Sequence, residues 1–298
     1  MKKIIKLTSL LTLSALIVGS LAGCGNSKAQ NDTIPKDDAI AKDDVIVDKD
    51  TVTEGDTTEN ISIKVSVTSV PHAEIMEHIK PALEEKGIDI DIIVADDYQV
   101  HNRSLAEKEV DANFFQHIPF LEEQIADFGY EIQEFGRIHI EPLGVYSKKF
   151  SSFDEIPDGA TISIPNDPSN ESRALALLHR NGLIELEDIN NLKSTILNIK
   201  ENPKNITFQE IDAAMLPRTL DDVEASVINT NFALAADLNP MDDALVIEDK
   251  DSPNVNILTI RNGDENREEL KVLKEVLMSD SVRDFINEKY EGAIVPVF

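Results

Sequence analysis

Residues 61–94 have the sequence ISIKVSVTSVPHAEIMEHIKPALEEKGIDIDIIV, in which the spacing of the apolar residues changes twice. Apolar and polar residues alternate over Ile61–Val67 and again over Ile88–Val94, as is typical of strands. Between them, apolar residues recur at helical spacing from Pro71 until Gly87, which is expected to end the helix. A helix that connects two strands in this way predicts a parallel β-α-β unit, and therefore an α/β fold.

A second unit of the same kind is predicted further along the chain. Thr161–Ile164 has the pattern of a strand, residues 165–168 form a turn, and a helix is expected from about Asn170 to His179. Ser169 or Asn170 is expected to cap this helix and to leave free backbone N–H groups in its first turn. The sequence therefore predicts two α/β halves.

The two halves share a short local similarity. Residues 110–117 can be aligned with residues 223–230, and each segment precedes a predicted helix. If the similarity is genuine and not accidental, each half has a strand that ends in polar side chains. Because the carboxyl ends of strands line the ligand crevice in open α/β sheets, these side chains are expected to face each other between two lobes. They are Gln116, His117, Asn229 and Asn231.

The charge balance excludes several classes of function. The chain of 298 residues carries 28 Lys and Arg against 56 Asp and Glu, a formal net charge of −28. Binding to nucleic acid or to anionic lipid head groups needs clustered cations, so the sequence predicts neither. The single cysteine excludes an internal disulfide and a zinc site built from cysteines. The sequence lacks the common catalytic and nucleotide-binding motifs, and its six histidines lack metal-ligand spacing, so no catalytic residue, metal or cofactor is predicted.

The N-terminus has the layout of a secretory signal. Lysines precede an apolar run over Leu7–Val18, and the sequence Leu-Ala-Gly-Cys follows at residues 21–24. The run is shorter than the roughly 18 to 20 residues of a spanning helix, so residues 1–23 are interpreted as a signal peptide. The tetrapeptide resembles the lipobox of bacterial lipoproteins. That resemblance implies that Cys24 carries acyl chains and anchors the mature chain on the extracytoplasmic face of a bacterial cell membrane.

Residues 24–60 are interpreted as the lipidated cysteine and a tether. Residues 25–60 contain ten acidic residues and four lysines, with no aromatic residue. Such a composition cannot bury enough apolar surface to fold, so an acidic, disordered segment is expected between the anchor and the folded part.

Two features of the folded part point to a ligand site. Phe114, Phe115 and Phe120 lie close to His117 in a chain with only 11 Phe, and they indicate either a core or an apolar ligand pocket. Arg173 lies near the predicted N-terminus of a helix. Its positive charge is unfavourable beside the positive end of the helix dipole, and a bound anion would offset that repulsion. A ligand carboxylate is one candidate for that anion, and a salt bridge to one of the many acidic residues is the other.

Longer motifs resemble a known family. They are PHAEI at 71–75, DANFFQH at 111–117, HIEPLGVYSKK at 139–149, IPNDPSN at 164–170, LPR at 216–218, VINTN at 227–231, EDKDSP at 248–253 and EKYEGA at 288–293. With these motifs, residues 61–298 resemble the methionine-binding lipoprotein (NlpA/MetQ) family.

The resemblance implies the substrate-binding component of an ABC importer for methionine. The implied fold is a two-lobed, periplasmic-binding-protein-like fold of type II, in which two α/β lobes close on the ligand. Residues 61–145 together with 252–298 would form lobe one and residues 146–251 lobe two, with crossings near Tyr146 and Asp251. The expected partners are a small-molecule ligand, the ABC permease and its ATPase, and the expected state is a monomer.

The resemblance also implies roles for individual residues. Arg173 would hold the carboxylate of the amino acid, while Asn229 and Asn256 would contact its other polar atoms. The residues expected around the thioether side chain are Tyr98, Phe114, Phe115 and His117. The set of expected ligand-binding residues is completed by Phe120, Asn170 and Asn231.

At several positions the chain departs from the usual residues of the family, so the resemblance does not fix which side chain the ligand carries. The departures are Val70 in place of glycine, Phe120 in place of tyrosine, and the sequence YQVHN at 98–102. Methionine of either hand is the expected ligand, and a different amino acid or small carboxylate is the alternative. An enzyme on this scaffold and a metal-binding or adhesive lipoprotein are further alternatives.

Overall fold

The computed structural model describes residues 60–298. The predicted signal peptide, Cys24 and the predicted tether up to residue 59 lie outside this part of the chain. The strands within residues 60–298 are β1 (Ile61–Val67), β2 (Ile88–Val94), β3 (Ala112–His117), β4 (Ile132–Ile140), β5 (Gly144–Tyr146), β6 (Thr161–Pro165), β7 (Glu185–Leu186), β8 (Ile199–Glu201), β9 (Thr207–Ile211), β10 (Ala225–Ile228), β11 (Ala244–Ile247), β12 (Val255–Arg261) and β13 (Val295–Pro296). The helices there are α1 (Glu74–Glu84), α2 (Tyr98–Ala106), α3 (Ile118–Phe128), α4 (Pro168–Arg180), α5 (Leu216–Thr219), α6 (Thr230–Ala235), α7 (Pro240–Asp243), α8 (Glu268–Leu277) and α9 (Asp280–Tyr290).

The first sheet has six strands in the order β13-β4-β12-β3-β1-β2. β1 pairs in parallel with β2 and β3, whereas β12 runs antiparallel between β3 and β4. α1 connects β1 to β2, so the predicted β-α-β unit is confirmed, although this helix begins at Glu74 and not at Pro71. Apolar residues of β1 and β3 pack with those of α1, α8 and α9 in one core.

The second sheet has five strands in the order β11-β5-β10-β6-β9. β6 pairs in parallel with β9 and β10, while β5 runs antiparallel to β10 and β11. α4 follows β6, as the sequence predicts, and packs its apolar face into a separate core that includes Ile162, Leu175 and Val227. Two sheets with separate cores confirm a two-lobed α/β fold.

The chain passes between the two sheets twice. It leaves the first sheet after Ile140 and enters the second at Gly144, and it leaves the second after Ile247 and returns at Val255. Gly144–Tyr146 already pairs within the second sheet, so the first passage precedes Tyr146. We call residues 141–143 the first connection and residues 248–254 the second connection. The bounds of the two lobes themselves stay a prediction.

The helices described within residues 60–298 include none with the length and apolar character needed to cross a membrane.

Truncation of the central strand of the first sheet is expected to be costly. Leu258 in β12 is fully buried, so Leu258→Ala should lower the free energy of unfolding by about 2 to 5 kcal/mol through lost burial and a residual cavity. Leu197→Ala is the matched control, because Leu197 is 87% exposed and its truncation should change stability by less than about 0.5 kcal/mol. Urea denaturation of residues 25–298 measures both, and equal losses would contradict the central position of β12.

Candidate functional site

A cavity lies between the two sheets. Its walls come from the ends of β3 and β10, the first turns of α2, α4 and α6, and the start of β12. Parallel strands of both sheets point their carboxyl ends at it, which is where open α/β sheets bind ligands. Nine of the expected ligand-binding residues line it: Tyr98, Phe115, His117, Phe120, Asn170, Arg173, Asn229, Asn231 and Asn256.

Phe114 is the expected residue that does not line the cavity. Its side chain is fully buried in the first core, where its ring lies 4.6 Å from that of His72 and 5.4 Å from that of His139, measured between centroids. Phe114 therefore faces the core side of β3, whereas Phe115 lines the cavity. The expected contact between Phe114 and the ligand is therefore corrected to a role in the core beneath the cavity.

A bulge in β3 brings Gln116 to the cavity as well. Gln116 pairs with Ile257 and Phe114 pairs with Leu258, so Phe115 is an extra residue without a partner in β12. A bulge of this kind locally breaks the alternation of side chains. Phe115 and Gln116 consequently both line the cavity.

Three aromatic rings form one wall. The ring centroids of Tyr98, Phe115 and Phe120 lie 5.8 Å apart in all three pairs. The ring of His101 stacks on Phe115 at 4.1 Å. Edge and tilted contacts at this spacing stabilise aromatic groups, so the wall is a rigid apolar surface.

The opposite wall consists of hydrogen-bonded amides. Asp167 accepts a hydrogen bond from the backbone N–H of Asn170 at 3.0 Å and another from its Nδ2 at 2.9 Å. This leaves Oδ1 of Asn170 as an acceptor, and it receives Nε2–H of His117 at 3.1 Å and Nδ2–H of Asn229 at 2.9 Å. Oδ1 of Asn229 is buried and has no hydrogen-bond partner among the described residues. It is available to an N–H donor of a ligand.

His117 is held as a neutral imidazole. Its Nδ1 accepts a hydrogen bond from the backbone N–H of Phe120 at 3.2 Å, which places the proton on Nε2. Burial, together with the nearby charge of Arg173, lowers the pKa of His117 to about 4. His117 therefore donates to Asn170 without adding charge to the cavity.

Arg173 forms a buried ion pair with Glu248. Its Nε lies 3.0 Å from Oε2 and 3.2 Å from Oε1 of Glu248, and its Nη2 donates to Oε2 and, at 2.6 Å, to the main-chain oxygen of Glu141. Burial raises the pKa of Glu248, but the charge and hydrogen bonds of Arg173 outweigh this effect and hold the pKa below its usual value.

The ion pair leaves part of the guanidinium for a ligand. Of the two anions considered for Arg173, the salt bridge is present, and it occupies the Nε and Nη2 edge. No described residue accepts a hydrogen bond from Nη1, and Arg173 lines the cavity. One nitrogen of the guanidinium, and not the whole fork, is therefore open to a carboxylate.

The N-terminus of α4 differs from the prediction. Asp167 is the N-cap, in place of Ser169 or Asn170, and Pro168 occupies the first turn. The backbone N–H of Ser169 is also occupied, because it donates to the Glu123 carboxylate at 2.9 Å. The expectation of free N–H groups for a ligand carboxylate is wrong, since two acidic side chains already fill this position.

A cluster of two histidines and a carboxylate borders the cavity. The sequence did not predict it. Oε1 of Glu141, a cavity residue, lies 2.7 Å from Nε2 of His139 and 3.3 Å from Nε2 of His72. Three atoms of these types within 4.8 Å of one another could hold a metal ion. The hydrogen bond between His139 and Glu141 already uses two of them, so the cluster is better described as a hydrogen-bonded carboxylate. The signal that could have revealed Glu141 is its place in the motif at 139–149.

Comparison with known proteins agrees with this geometry. The family described as NlpA lipoprotein matches residues 63–298. This chain belongs to the NlpA lipoprotein family. As an NlpA lipoprotein, it is 41% identical over 240 residues to the methionine-binding lipoprotein MetQ of Bacillus subtilis, which covers 79% of this chain and 88% of the relative.

Solved structures of relatives have the same fold as this NlpA lipoprotein. One is a nutrient binding protein from Burkholderia cenocepacia bound to methionine, with a TM-score of 0.77, 41% identity and coverage of 79% of this chain and 100% of that one. Another is an ABC transporter, periplasmic substrate-binding protein from Coxiella burnetii, with a TM-score of 0.76, 39% identity and coverage of 79% and 100%. The predicted family and fold are confirmed, and so is the prediction of a binding protein and not an enzyme. The roles of individual site residues stay a prediction.

Buried histidines of this NlpA lipoprotein are expected to make its stability depend on pH. Burial lowers the pKa of His101 from 6.5 to about 4, so below pH 6.5 the unfolded state binds a proton that the folded state excludes. The folded state then loses about 1.4 kcal/mol per pH unit for this group as the pH falls from 6.5 towards 4. The stability advantage of the wild type over His101→Gln should shrink over this range. Urea denaturation at pH 7, 5.5 and 4.5 measures it, and a difference independent of pH would contradict a neutral buried His101.

Proposed function

We propose that this chain is the solute-binding lipoprotein of an ABC importer, that it captures methionine outside the cytoplasm, and that it delivers the amino acid to a permease and its ATPase. The observation that carries the proposal is a single cavity with a polar end and an aromatic end, in a fold shared with a relative bound to methionine. Its convergent polar groups beside an apolar wall are typical of small-ligand pockets.

The polar end suits the charged atoms of an amino acid. A carboxylate at Nη1 of Arg173 would receive a charge-assisted hydrogen bond, and Oδ1 of Asn229 would receive an N–H of the amino group. Asn256, at the start of β12, lines the same end.

The aromatic end suits a thioether. Tyr98, Phe115 and Phe120 present ring edges and faces to the cavity, and a sulfur atom near such rings gains about 0.3 to 1.5 kcal/mol. An unbranched, polarizable side chain also adapts to the space between three rings at fixed spacing. These contacts favour methionine over a shorter or charged amino acid.

Closure of two lobes around the ligand is the proposed means of capture. The proposed lobes are residues 61–145 with 252–298, and residues 146–251. Hydrogen bonds join the two sides of the cavity: Tyr98 donates to Oδ1 of Asn231 at 2.7 Å, and His117 donates to Asn170 at 3.1 Å. A monomer that opens and closes through the two connections would expose these groups to solvent in the open state.

Methionine binding tests the proposal. We expect lipid-free residues 25–298 to bind methionine more tightly than any other amino acid in calorimetry against the twenty L-amino acids and D-methionine. Arg173→Lys should weaken this binding at least ten-fold, because one ammonium cannot pair with Glu248 and also reach a ligand carboxylate as Nη1 does.

Arg180→Lys is the matched control for this substitution. Arg180 is exposed at the end of the same helix, α4, so its replacement should leave the affinity unchanged. A strong signal with another amino acid or a small carboxylate and none with methionine would contradict the proposed ligand. Wild-type affinity in Arg173→Lys would contradict the role of Nη1.

Acylation of Cys24 is expected to anchor the mature chain. Cells that express the full chain and grow with an alkyne-tagged fatty acid should label the wild type, whereas Cys24→Ser should remain unlabelled, because the thiol is the proposed acyl acceptor. Ser27→Ala, three residues further on, is the control and should label like the wild type. Labelling of Cys24→Ser would contradict the anchor.

A further inference from the structure

Glu141 is a buried acidic residue at the edge of the cavity. It lies in the first connection, its side chain is only 7% exposed, and it is one of the residues that line the cavity. Burial raises the pKa of its carboxyl group, whereas the nearby His72, Arg173 and backbone N–H of Asn231 act in the opposite direction. A carboxyl group whose charged form is disfavoured by burial thus borders the space proposed for the ligand.

One imidazole beside Glu141 supplies a hydrogen bond, and neither imidazole supplies a charge. Nε2 of His139 donates to Oε1 at 2.7 Å. Nε2 of His72 lies 3.3 Å from Oε1 and has no hydrogen-bond partner among the described residues, while Nδ1 of His72 lies 2.7 Å from the hydroxyl of Thr68. Burial lowers the pKa of His72 and of His139 to about 3, so both rings are neutral at physiological pH. His139 therefore orients the carboxyl group, and neither ring is a cation for it.

Arg173 forms no ion pair with Glu141. Its Nε and Nη2 are taken by Glu248, and its contact with Glu141 goes to the main-chain oxygen and not to the carboxyl group. Among residues 60–298, the salt-bridge partners of Glu141 are the two neutral histidines. The charge of Arg173 lowers the pKa of Glu141, but burial outweighs it, so the buried carboxyl group in the cavity wall lacks a cation that would stabilise its charged form.

A ligand with an ammonium group would supply that cation. An ammonium carries three N–H donors, and the cavity offers the Glu141 carboxylate and the unpartnered Oδ1 of Asn229 as acceptors. A buried carboxylate that is paired with a cation is favoured over one that has no cation.

We propose that Glu141 is the counter-ion of the α-ammonium group of the ligand, and that the site therefore requires an α-amino acid and rejects the corresponding 2-hydroxy acid. This inference rests on the proposed function, because it assigns the amino group of the same ligand. Glu141 determines specificity for the ammonium, Arg173 holds the carboxylate, and the three rings select the side chain.

A cycle of two ligands and two proteins tests the assignment. The ligands are L-methionine and 2-hydroxy-4-(methylthio)butanoate, which differ in the amino group and share the carboxylate and thioether. We expect the wild type to prefer methionine at least 100-fold in calorimetry, and Glu141→Gln to reduce this preference at least ten-fold. A purely structural role for Glu141 would weaken both ligands by the same factor, and that result would overturn the assignment.

Glu171→Gln is the matched control, because it makes the same substitution in a buried carboxylate of α4 that accepts the backbone N–H of Ile196 at 2.9 Å and does not line the cavity. This variant should keep the preference within three-fold of the wild-type value. A loss of preference as large as that of Glu141→Gln would overturn the assignment, because it would show a general effect of the buried charges.

The remaining outcomes separate this inference from the proposed function. If Glu141→Gln does not fold, as judged by far-UV circular dichroism, the wild type decides: equal affinity for the two ligands overturns the assignment, and a preference of at least 100-fold supports it. If the wild type binds no methionine, the proposed function fails and the assignment fails with it. If the wild type binds methionine and Glu141→Gln keeps the full preference, only the assignment of Glu141 fails.

Discussion

The buried ion pair between Arg173 and Glu248 is the interaction on which the site depends. Glu248 belongs to the second connection, and besides Arg173 it receives the hydroxyl of Ser252 at 3.0 Å and the backbone N–H of Leu143, in the first connection, at 3.2 Å. Arg173 donates to the main-chain oxygen of Glu141, also in the first connection. One ion pair thus joins α4 to both passages between the sheets. Replacing either residue of the pair with a neutral one would leave an uncompensated charge in the interior and lower the free energy of unfolding by about 3 to 5 kcal/mol.

The same pair bears on how an acidic protein would bind the proposed ligand carboxylate. Glu248 matches the charge of the guanidinium and fixes its Nε and Nη2 edge, so the proposed ligand carboxylate would meet a donor group that is already held in place. Fixed donors lower the cost of ordering on binding. The amide wall follows this logic, because Asp167 orients Asn170, and Asn170 in turn orients His117 and Asn229. The polar end of the cavity is therefore preorganised by acidic residues outside it.

Local patterns in the sequence predicted much of this arrangement. The alternation in β1 and β2 and the polar ends of β3 and β10 depend on neighbouring residues, and these predictions agree with the structure. The choice between Phe114 and Phe115 depends on which face of β3 meets the cavity, and a pair of adjacent aromatic residues does not reveal it.

The sequence alone does not identify ion-pair partners that lie far apart along the chain. Glu248 is 75 positions from Arg173, and the chain has 56 acidic residues from which to choose. The predicted cap of α4 was wrong for a different, local reason: Asp167, Ser169 and Asn170 are all good N-cap residues, and Pro168 favours the first of them by occupying the position after the cap. Position in three dimensions, and not residue type, decided only the partner of Arg173.

The place of β12 in the first sheet also constrains the order of folding during synthesis. β12 lies between β3 and β4, but residues 255–261 are made only after the whole second sheet. While the chain emerges, β3 and β4 therefore lack the strand that joins them, and the first half cannot complete its core. The second sheet, whose strands all fall between Gly144 and Ile247, can form first. A nascent chain of this topology is therefore expected to complete its first sheet only after most of it has been synthesised.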